Sequence, residues 1–377
     1  MKPKSAPWLY LLILGKWNLR EIVNVFKQKQ WLAVVRGNHW VVAKVARRKY
    51  NLDILRLSEF RVEPESEFEF ESEDGQEQLG ENVLAQKESF QEEERSIGGK
   101  NKASLKEWLH KNRIPIKKLR LAVSCPGVIT RMITLPLMSA QDLDKLLTEQ
   151  VDQYFTLNTK DYVVDYRVLD RLIEDGQMRQ RVLLAALPKY QWQALWSEWE
   201  NIGFKPKVVD LAADGLARLY SQLTLNVKSK NSAELEAPLD LAIVELSADR
   251  VEFILLEHGV FFLYSDLEVS LKGLEQVETA LTKAEIELTL GNVLQSISEF
   301  FAFFAARHFG KSIDRIYLTG DYSNLPFLQE IFETNSEIVT QVGFPNAWSP
   351  RFSEKMSIHQ KNGMKYGSLY GLALREG

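Results

Sequence analysis

The side chains that most often carry chemistry are few in this chain and poorly spaced for it. Five histidines, His39, His110, His258, His308 and His359, include no pair at metal-ligand spacing. The single cysteine, Cys125, rules out an intrachain disulfide and fits a reducing compartment. It ends an apolar run just before Pro126-Gly127, and nothing beside it marks a nucleophile, so it reads as a buried structural thiol. There is no P-loop and no dinucleotide-type glycine turn after the first strand. Basic residues do not interleave with aromatics, so no nucleic-acid partner is expected. No metal site and no catalytic residue emerges from residue types and spacing.

The elements that must position any site form a long chain of ordinary composition. At 377 residues it exceeds what one core usually organises, so two or more lobes are expected; 45% hydrophobic and 26% charged residues suit a water-soluble fold. No cleavable signal peptide is evident, and the apolar run Trp8–Leu14 is far short of the roughly 20 residues of a spanning helix. Charge is uneven. From Glu63 to Glu94 thirteen acids face one lysine, which leaves the rest of a chain of net charge −4 at about +8. Residues 63–102 therefore read as a disordered acidic insertion. Residues 1–30 mix Trp8, Leu11, Trp17 and Ile22 with Lys2, Lys4, Lys16, Arg20 and Lys27. That pattern is an amphipathic leader, either packed on the body or lying at an anionic membrane surface.

Strand signals resume at WLAVVR and WVVAKVARR, joined by the two-residue turn Gly37-Asn38, and continue in NLDILRLSEF. LRLAVS and GVITRMITL are further strands, and Ser139 caps a helix with Leu143, Leu146, Leu147, Val151 and Tyr154 on one face. DYVVDYRVL and RVLLAAL flank a turn at DGQ. Pro188 opens a helix whose Trp192, Trp196 and Trp199 read as core, with Gly203 closing it. After the polar stretch 226–238, a second strand set (LDLAIVELS, RVEFILLEHG, VFFLYSDLEV) leads into a long helix from about Leu288 to His308. IDRIYLTG is a buried strand, followed by a helix at NLPFLQEIF. Two similarly arranged halves predict an α/β fold of two lobes around a cleft.

The order and spacing of VITRMITLP running into LLTEQVDQYF, then VLLAALPK, GFKPKVVDL and the terminal YGLALR resemble the type IV pilus assembly protein PilM family. The resemblance covers roughly residues 31–60 and 119–377. A relative serving mannose-sensitive pilus biogenesis, or the cytoplasmic domain of a type II secretion L protein, would look similar. It implies the two-lobed actin/Hsp70/sugar-kinase fold, with a first lobe at 31–225, a small α+β insert at 136–207, a linker at 226–238 and a second lobe at 239–377.

In that fold, glycine-containing turns offer backbone N–H groups to nucleotide phosphates, and a strand-end aspartate orients Mg²⁺ or water. Here the matching positions are worn. In VRGNHW, Val35 stands for the aspartate, while Gly37 and Asn38 remain. In ELSADR, Glu245 stands where an acid is expected, Ser247 replaces glycine and Asp249 adds negative charge. In TGDYSNLPF, Gly320 and Pro326 survive, but Asp321 and Phe327 replace glycines. The resemblance thus implies a non-enzymatic cytoplasmic scaffold with no cofactor, at the inner-membrane face. It would bind the tail of a PilN-like membrane protein and other pilus assembly components; peripheral contact to anionic membrane is expected from the charge distribution and the basic, apolar leader instead. The tail groove would lie between the first lobe and the insert, near Leu146, Gln150, Tyr154, Phe155 and Leu157. The alternative is an actin-like protein that binds or hydrolyses ATP with Mg²⁺ through Glu245 and Asp321.

Overall fold

A computed structural model describes residues 28–48, 51–61, 105–155, 158–206, 208–225, 239–271, 274, 281–307, 310–354, 356 and 363–375. The leader before Gln28, the whole acidic stretch 63–102, the polar stretch 226–238 and Leu157 lie outside these residues.

Two sheets share one topology. In the first, β1 (Gln28–Arg36), β2 (His39–Arg48) and β3 (Asn51–Arg61) form an antiparallel meander. Parallel to β1 run β4 (Leu119–Ser124) and then β8 (Val209–Leu211). The short β14 (Arg351–Phe352) closes the far edge beside β3. In the second sheet, β9 (Leu241–Leu246), β10 (Arg250–Glu257) and β11 (Val260–Glu268) repeat the meander. β12 (Arg315–Gly320) and β13 (Thr340–Val342) repeat the parallel pair. Each of β1, β4, β9 and β12 carries an unbroken buried apolar run (32–35, 121–123, 241–244 and 316–318), as strands covered on both faces must. A third sheet, β5-β7-β6, departs after β4: β5 spans Ile129–Pro136, β6 Tyr162–Glu174 and β7 Gln177–Pro188. Its strands begin at Ile129, ahead of the expected start at 136.

Turn chemistry explains the hairpins. Gly37 has φ +51°, and the β6–β7 and β10–β11 turns place Asp175-Gly176 and His258-Gly259 both at positive φ, the pairing of a type I′ turn. Asp175 and His258 hold that conformation without glycine's freedom, each beside a glycine.

The helices are α1 (105–111), α2 (Ala140–Gln150), α3 (Lys189–Asn201), α4 (Ala212–Leu225), α5 (Lys283–Thr289), α6 (Gly291–Arg307), α7 (Leu328–Ser336) and α8 (Gly367–Ala373). Ser139 caps α2 as expected, accepting from the Asp142 N–H at 3.2 Å. The long helix expected from about Leu288 is α6, Gly291–Arg307, and the shorter α5, not expected, precedes it at a bend of 61°. Thr282 and Glu285 form a capping box that starts α5 earlier, and the chain breaks at Leu290 before α6. Among the described residues no single helix is long and apolar enough to cross a membrane.

α7 ends on Glu337, exposed and left-handed at φ +58°, with its N–H on the Glu333 carbonyl at 2.9 Å. Glycine relieves roughly 1–2 kcal/mol of such strain, offset by roughly 0.4–1 kcal/mol of added chain entropy. Glu337→Gly should therefore stabilise the protein by about 0.5–1 kcal/mol, read as a higher urea midpoint at unchanged slope. An unchanged or lower midpoint would refute the cap assignment.

Candidate functional site: the inter-lobe cleft and the groove beside the insert

The strand ends of the two repeated sheets meet at one buried cluster. β1 and β4 finish side by side at Arg36 and Ser124, which are register partners. β9 and β10 place Glu245 directly opposite Glu252. Period-2 alternation sends both carboxylates to the same face, towards the first lobe. Arg36 Nη2 donates to Glu245 Oε1 at 2.5 Å and to Ser368 Oγ, at the start of α8, at 3.1 Å. Ser124 and Tyr264 hydroxyls both donate to Glu252 Oε1, at 2.9 and 2.8 Å. Glu245 is 0% and Glu252 2% exposed.

Two carboxylates are thus shut away from water, and the guanidinium that meets them is 19% exposed. Burial pushes Glu245 up, Arg36 pulls it back and Glu252 pushes it up again, leaving it at about 7. Arg36 is driven the other way. Burial opposes its charge, but Glu245, Glu252 and Asp321 outweigh burial and raise it above an ordinary arginine.

Of the residues singled out for phosphate, the structure brings Glu245 and Asp321 towards Arg36, and leaves Gly37 and Asn38 exposed at the tip of the β1–β2 turn. The Ser247 N–H is already donated, to the Arg250 carbonyl at 2.9 Å. Gly320 has a different requirement. At φ +97° a Cβ there would lie 2.3 Å from the Leu246 carbonyl oxygen, so glycine is needed where β12 passes β9. Phe327 keeps a glycine-like conformation, φ +59°, with its ring 47% exposed. At the mouth of the cleft Glu59 gathers His39, Lys365 and Tyr366, with Lys365 Nζ at 2.9 Å. Burial alone would raise Glu59; hydrogen bonds from His39, Tyr366 and Lys365 outweigh it and hold the carboxyl at about 2. Cys125 is buried and pushed up to about 11 chiefly by that burial, which keeps it a thiol. Among the described residues no cluster of three histidine, cysteine or acidic side chains could hold a metal ion.

A second concavity of about 600 Å³ lies between the first lobe and the third sheet. β7 divides its side chains by period 2. Val182, Leu184 and Ala186 pack under α2, whereas Leu183, Ala185 and Leu187 line the groove with Val163, Trp192 and Trp196. β6 and β8, which line opposite walls, are each the edge strand of their sheet. The polar wall is a charge network. Asp214 takes Arg167 and, at 2.5 Å, Arg218; Asp210 takes Arg375. Burial lowers Arg218 despite Asp214, and Arg375 is lowered by burial and by Arg120 and Arg167.

Leu146, Tyr154 and Phe155 do not line this groove. They sit on the opposite side of the sheet, in or against the core under α2, because helical spacing names a face of the helix without saying which face of the sheet it covers. Gln150 is half-buried at the end of α2. The tryptophans split: Trp199 is fully buried as expected, but Trp192 and Trp196 are half-buried groove walls. The available signal was VLLAAL itself, a strand apolar on both faces, which needs a cover on each.

Duplicated sheets of this topology, meeting at their strand ends across a cleft, define the actin-like fold. The chain belongs to the type IV pilus assembly protein PilM family, whose family model matches residues 77–266. It is thereby a type IV pilus assembly protein.

Among solved structures, a PilM-PilN type IV pilus biogenesis complex is 18% identical, with TM-score 0.63, covering 92% of this chain and 98% of that one. A protein of actin-like ATPase fold and unknown function from Bacteroides thetaiotaomicron is 11% identical, with TM-score 0.43, covering 92% and 97%. The cytoplasmic domain of EpsL, an inner-membrane component of the type II secretion system of Vibrio cholerae, is 9% identical, with TM-score 0.37, covering 93% and 96%. No curated protein sequence matches.

Proposed function

We propose that this protein is a cytoplasmic scaffold of type IV pilus assembly that holds the tail of a PilN-like inner-membrane protein in the groove between its first lobe and its insert. The observation that carries this reading is the groove itself, walled by two open strand edges and floored by apolar side chains. Strand edges offer unpaired backbone groups to an extended peptide, and the alternating pockets beside them select its side chains. Localisation at the cytoplasmic face of the inner membrane follows from the partner, and other assembly components would bind elsewhere on the lobes.

ATP with Mg²⁺ does not fit the inter-lobe cleft. Its phosphates would meet Glu245, Glu252 and Asp321, and the cation among them, Arg36, is committed to Glu245. The Ser247 N–H is taken up within its own turn. The cleft reads as a joint between the lobes, with no hydrolysis.

The test is a titration of the partner's tail peptide, followed by the emission of Trp192 and Trp196. A saturable blue shift is expected. Ala185→Arg, pointing into the groove, should weaken binding at least tenfold, whereas Leu146→Ala should leave it within twofold. The opposite ranking would move the site to the α2 side. A fluorescent ATP analogue with Mg²⁺ should not bind; saturable binding lost in Glu245→Ala would restore the nucleotide reading.

A further inference from the structure

The first lobe is electrically polar along its strands. At one end, Arg36 and Ser124 close the cleft; at the other, about 17 Å away at roughly 3.3 Å per residue, β4 begins beside Trp31 of β1. That far end is basic. Lys29 is exposed on β1, and Lys117 and Lys118 are exposed immediately before β4. Arg120 Nη1 reaches across to Gln30 Oε1 at 2.9 Å, and Arg47 sits at the end of β2 beside the C-terminus of α8, donating to the Leu374 carbonyl at 3.0 Å.

The acids around it are matched by cations of their own: Asp53, opposite Ala46, pairs with Arg351. Asp210 and Asp214 are shared among Arg167, Arg218 and Arg375. Burial lowers Arg120, and Arg218 and Arg47 lower it further, a sign that positive charge is in excess here. The same end adjoins the groove, since Arg375 lines the groove and feels Arg120.

The chain outside the described residues sorts itself the same way. The basic, apolar leader joins the fold at Gln28, on the basic end. The acidic stretch leaves β3 after Arg61, which pairs with His39 at the cleft end. Half-buried Trp31 lies next to the basic end with Lys44 Nζ 5.7 Å from its ring centre. An amphipathic aromatic beside lysines suits a lipid headgroup region.

We propose that this end of the first lobe, presenting the exposed Lys29, Lys117 and Lys118 in front of Arg120, docks on an anionic lipid bilayer. The inference rests on the scaffold reading, in that it turns the adjoining groove towards the membrane that carries the partner. A polyanion in solution is the poorer fit. The protein as a whole carries net charge −4, and its strongest negative charge leaves at the opposite end, which favours one oriented contact with a planar negative surface.

The test is co-sedimentation of the full chain, without partner, with vesicles rich in phosphatidylglycerol and with vesicles of phosphatidylcholine alone. Binding is expected to the first and not the second, and to collapse as salt is raised. A surface lysine near such a bilayer is worth about a factor of five. Neutralising Lys29, Lys117 and Lys118 together to Gln should therefore weaken binding about a hundredfold. These side chains are exposed, so the melting temperature should not move, and titration of the tail peptide into the groove should read as in the parent protein. The proposal is overturned if the triple variant binds vesicles like the parent, or if phosphatidylcholine serves equally well. It is also overturned if replacing only the leader cations removes all binding, or if a single-stranded oligonucleotide at equal phosphate outcompetes the vesicles. Loss of peptide binding in the triple variant would likewise overturn it, by assigning the lysines to the groove; an intact vesicle response with no peptide binding would instead refute the groove reading alone.

Discussion

Gly371→Ala should leave the protein unable to hold its native packing. α8 crosses α4 through glycines: an added Cβ at Gly371 would stand 1.6 Å from the Gly215 carbonyl oxygen and 2.2 Å from its carbon. Both are backbone atoms of a helix core and cannot swing aside. Overpacking a side chain costs typically 1–3 kcal/mol, and a backbone collision of this depth must exceed that by displacing a whole helix, against a total stability of roughly 5–15 kcal/mol. The displacement would not be local. α8 gives Ser368 to Arg36, and its C-terminal carbonyls at Gly371 and Leu374 accept from Arg218 and Arg47. Two controls set the scale. Gly367→Ala meets the flexible end of Leu216 at 2.5 Å and should cost less; Gly37→Ala meets nothing and should suffer only from its positive φ. The expected order of thermal stability is therefore Gly37→Ala above Gly367→Ala above Gly371→Ala, the last insoluble or without a cooperative transition. A Gly371→Ala protein melting like the parent would mean that the two helices do not cross at this distance.

How much of this was legible in the sequence depends on the range over which each feature is encoded. Local features were readable. Gly37-Asn38 and Asp-Gly at 175–176 announce hairpins, Ser139 a helix start, Gly203 a helix end, and the two strand sets the repeated lobes. The short helix α5 was readable too, had Thr282 and Glu285 been weighed as a capping box ahead of the apolar run. The ion pair at the lobe joint was not. Arg36 and Glu245 are 209 residues apart, and no local pattern assigns a strand-end arginine to a glutamate on the other lobe. Gly320 shows a second kind of limit. A phosphate turn and a close strand crossing both demand glycine, so the residue alone cannot separate them; the 2.3 Å approach of the Leu246 carbonyl does. The lining of the groove was hidden for a third reason: α2 and the far side of β7 both offer apolar side chains, and only the sheet decides which set is covered.

Arg36→Ala should destabilise the protein by about 3–5 kcal/mol at pH 8, and by much less at pH 5. The mutation leaves Glu245 and Glu252 buried opposite one another with no cation, and a buried carboxylate that loses its partner must either be desolvated as a charge or take up a proton. The sign of the pH effect follows from the parent protein. Glu245 is raised from its ordinary 4.5 to about 7, so between those values the folded state holds a proton that the unfolded state has released. Stability is then greatest below the unfolded value, falls by up to about 1.4 kcal/mol per pH unit as pH climbs towards 7, and is flat in this respect above it. Removing Arg36 takes away the influence that pulls Glu245 down, so the proton is held still more tightly and the loss on raising pH is larger. Adding Glu245→Gln to Arg36→Ala removes the second charge and should recover most of the stability at pH 8 while flattening the slope. Urea denaturation of the parent, Arg36→Ala, Glu245→Gln and the double variant from pH 5 to 8 measures the whole cycle. A cost for Arg36→Ala that is under 1 kcal/mol, or that does not change with pH, would show that the lobes are not joined through this pair. Equal costs for the single and double variants would show that Arg36 acts by packing and not by charge. The expected coupling makes lobe closure in this protein a matter of its own side chains, at the place where the actin-like fold otherwise receives a ligand.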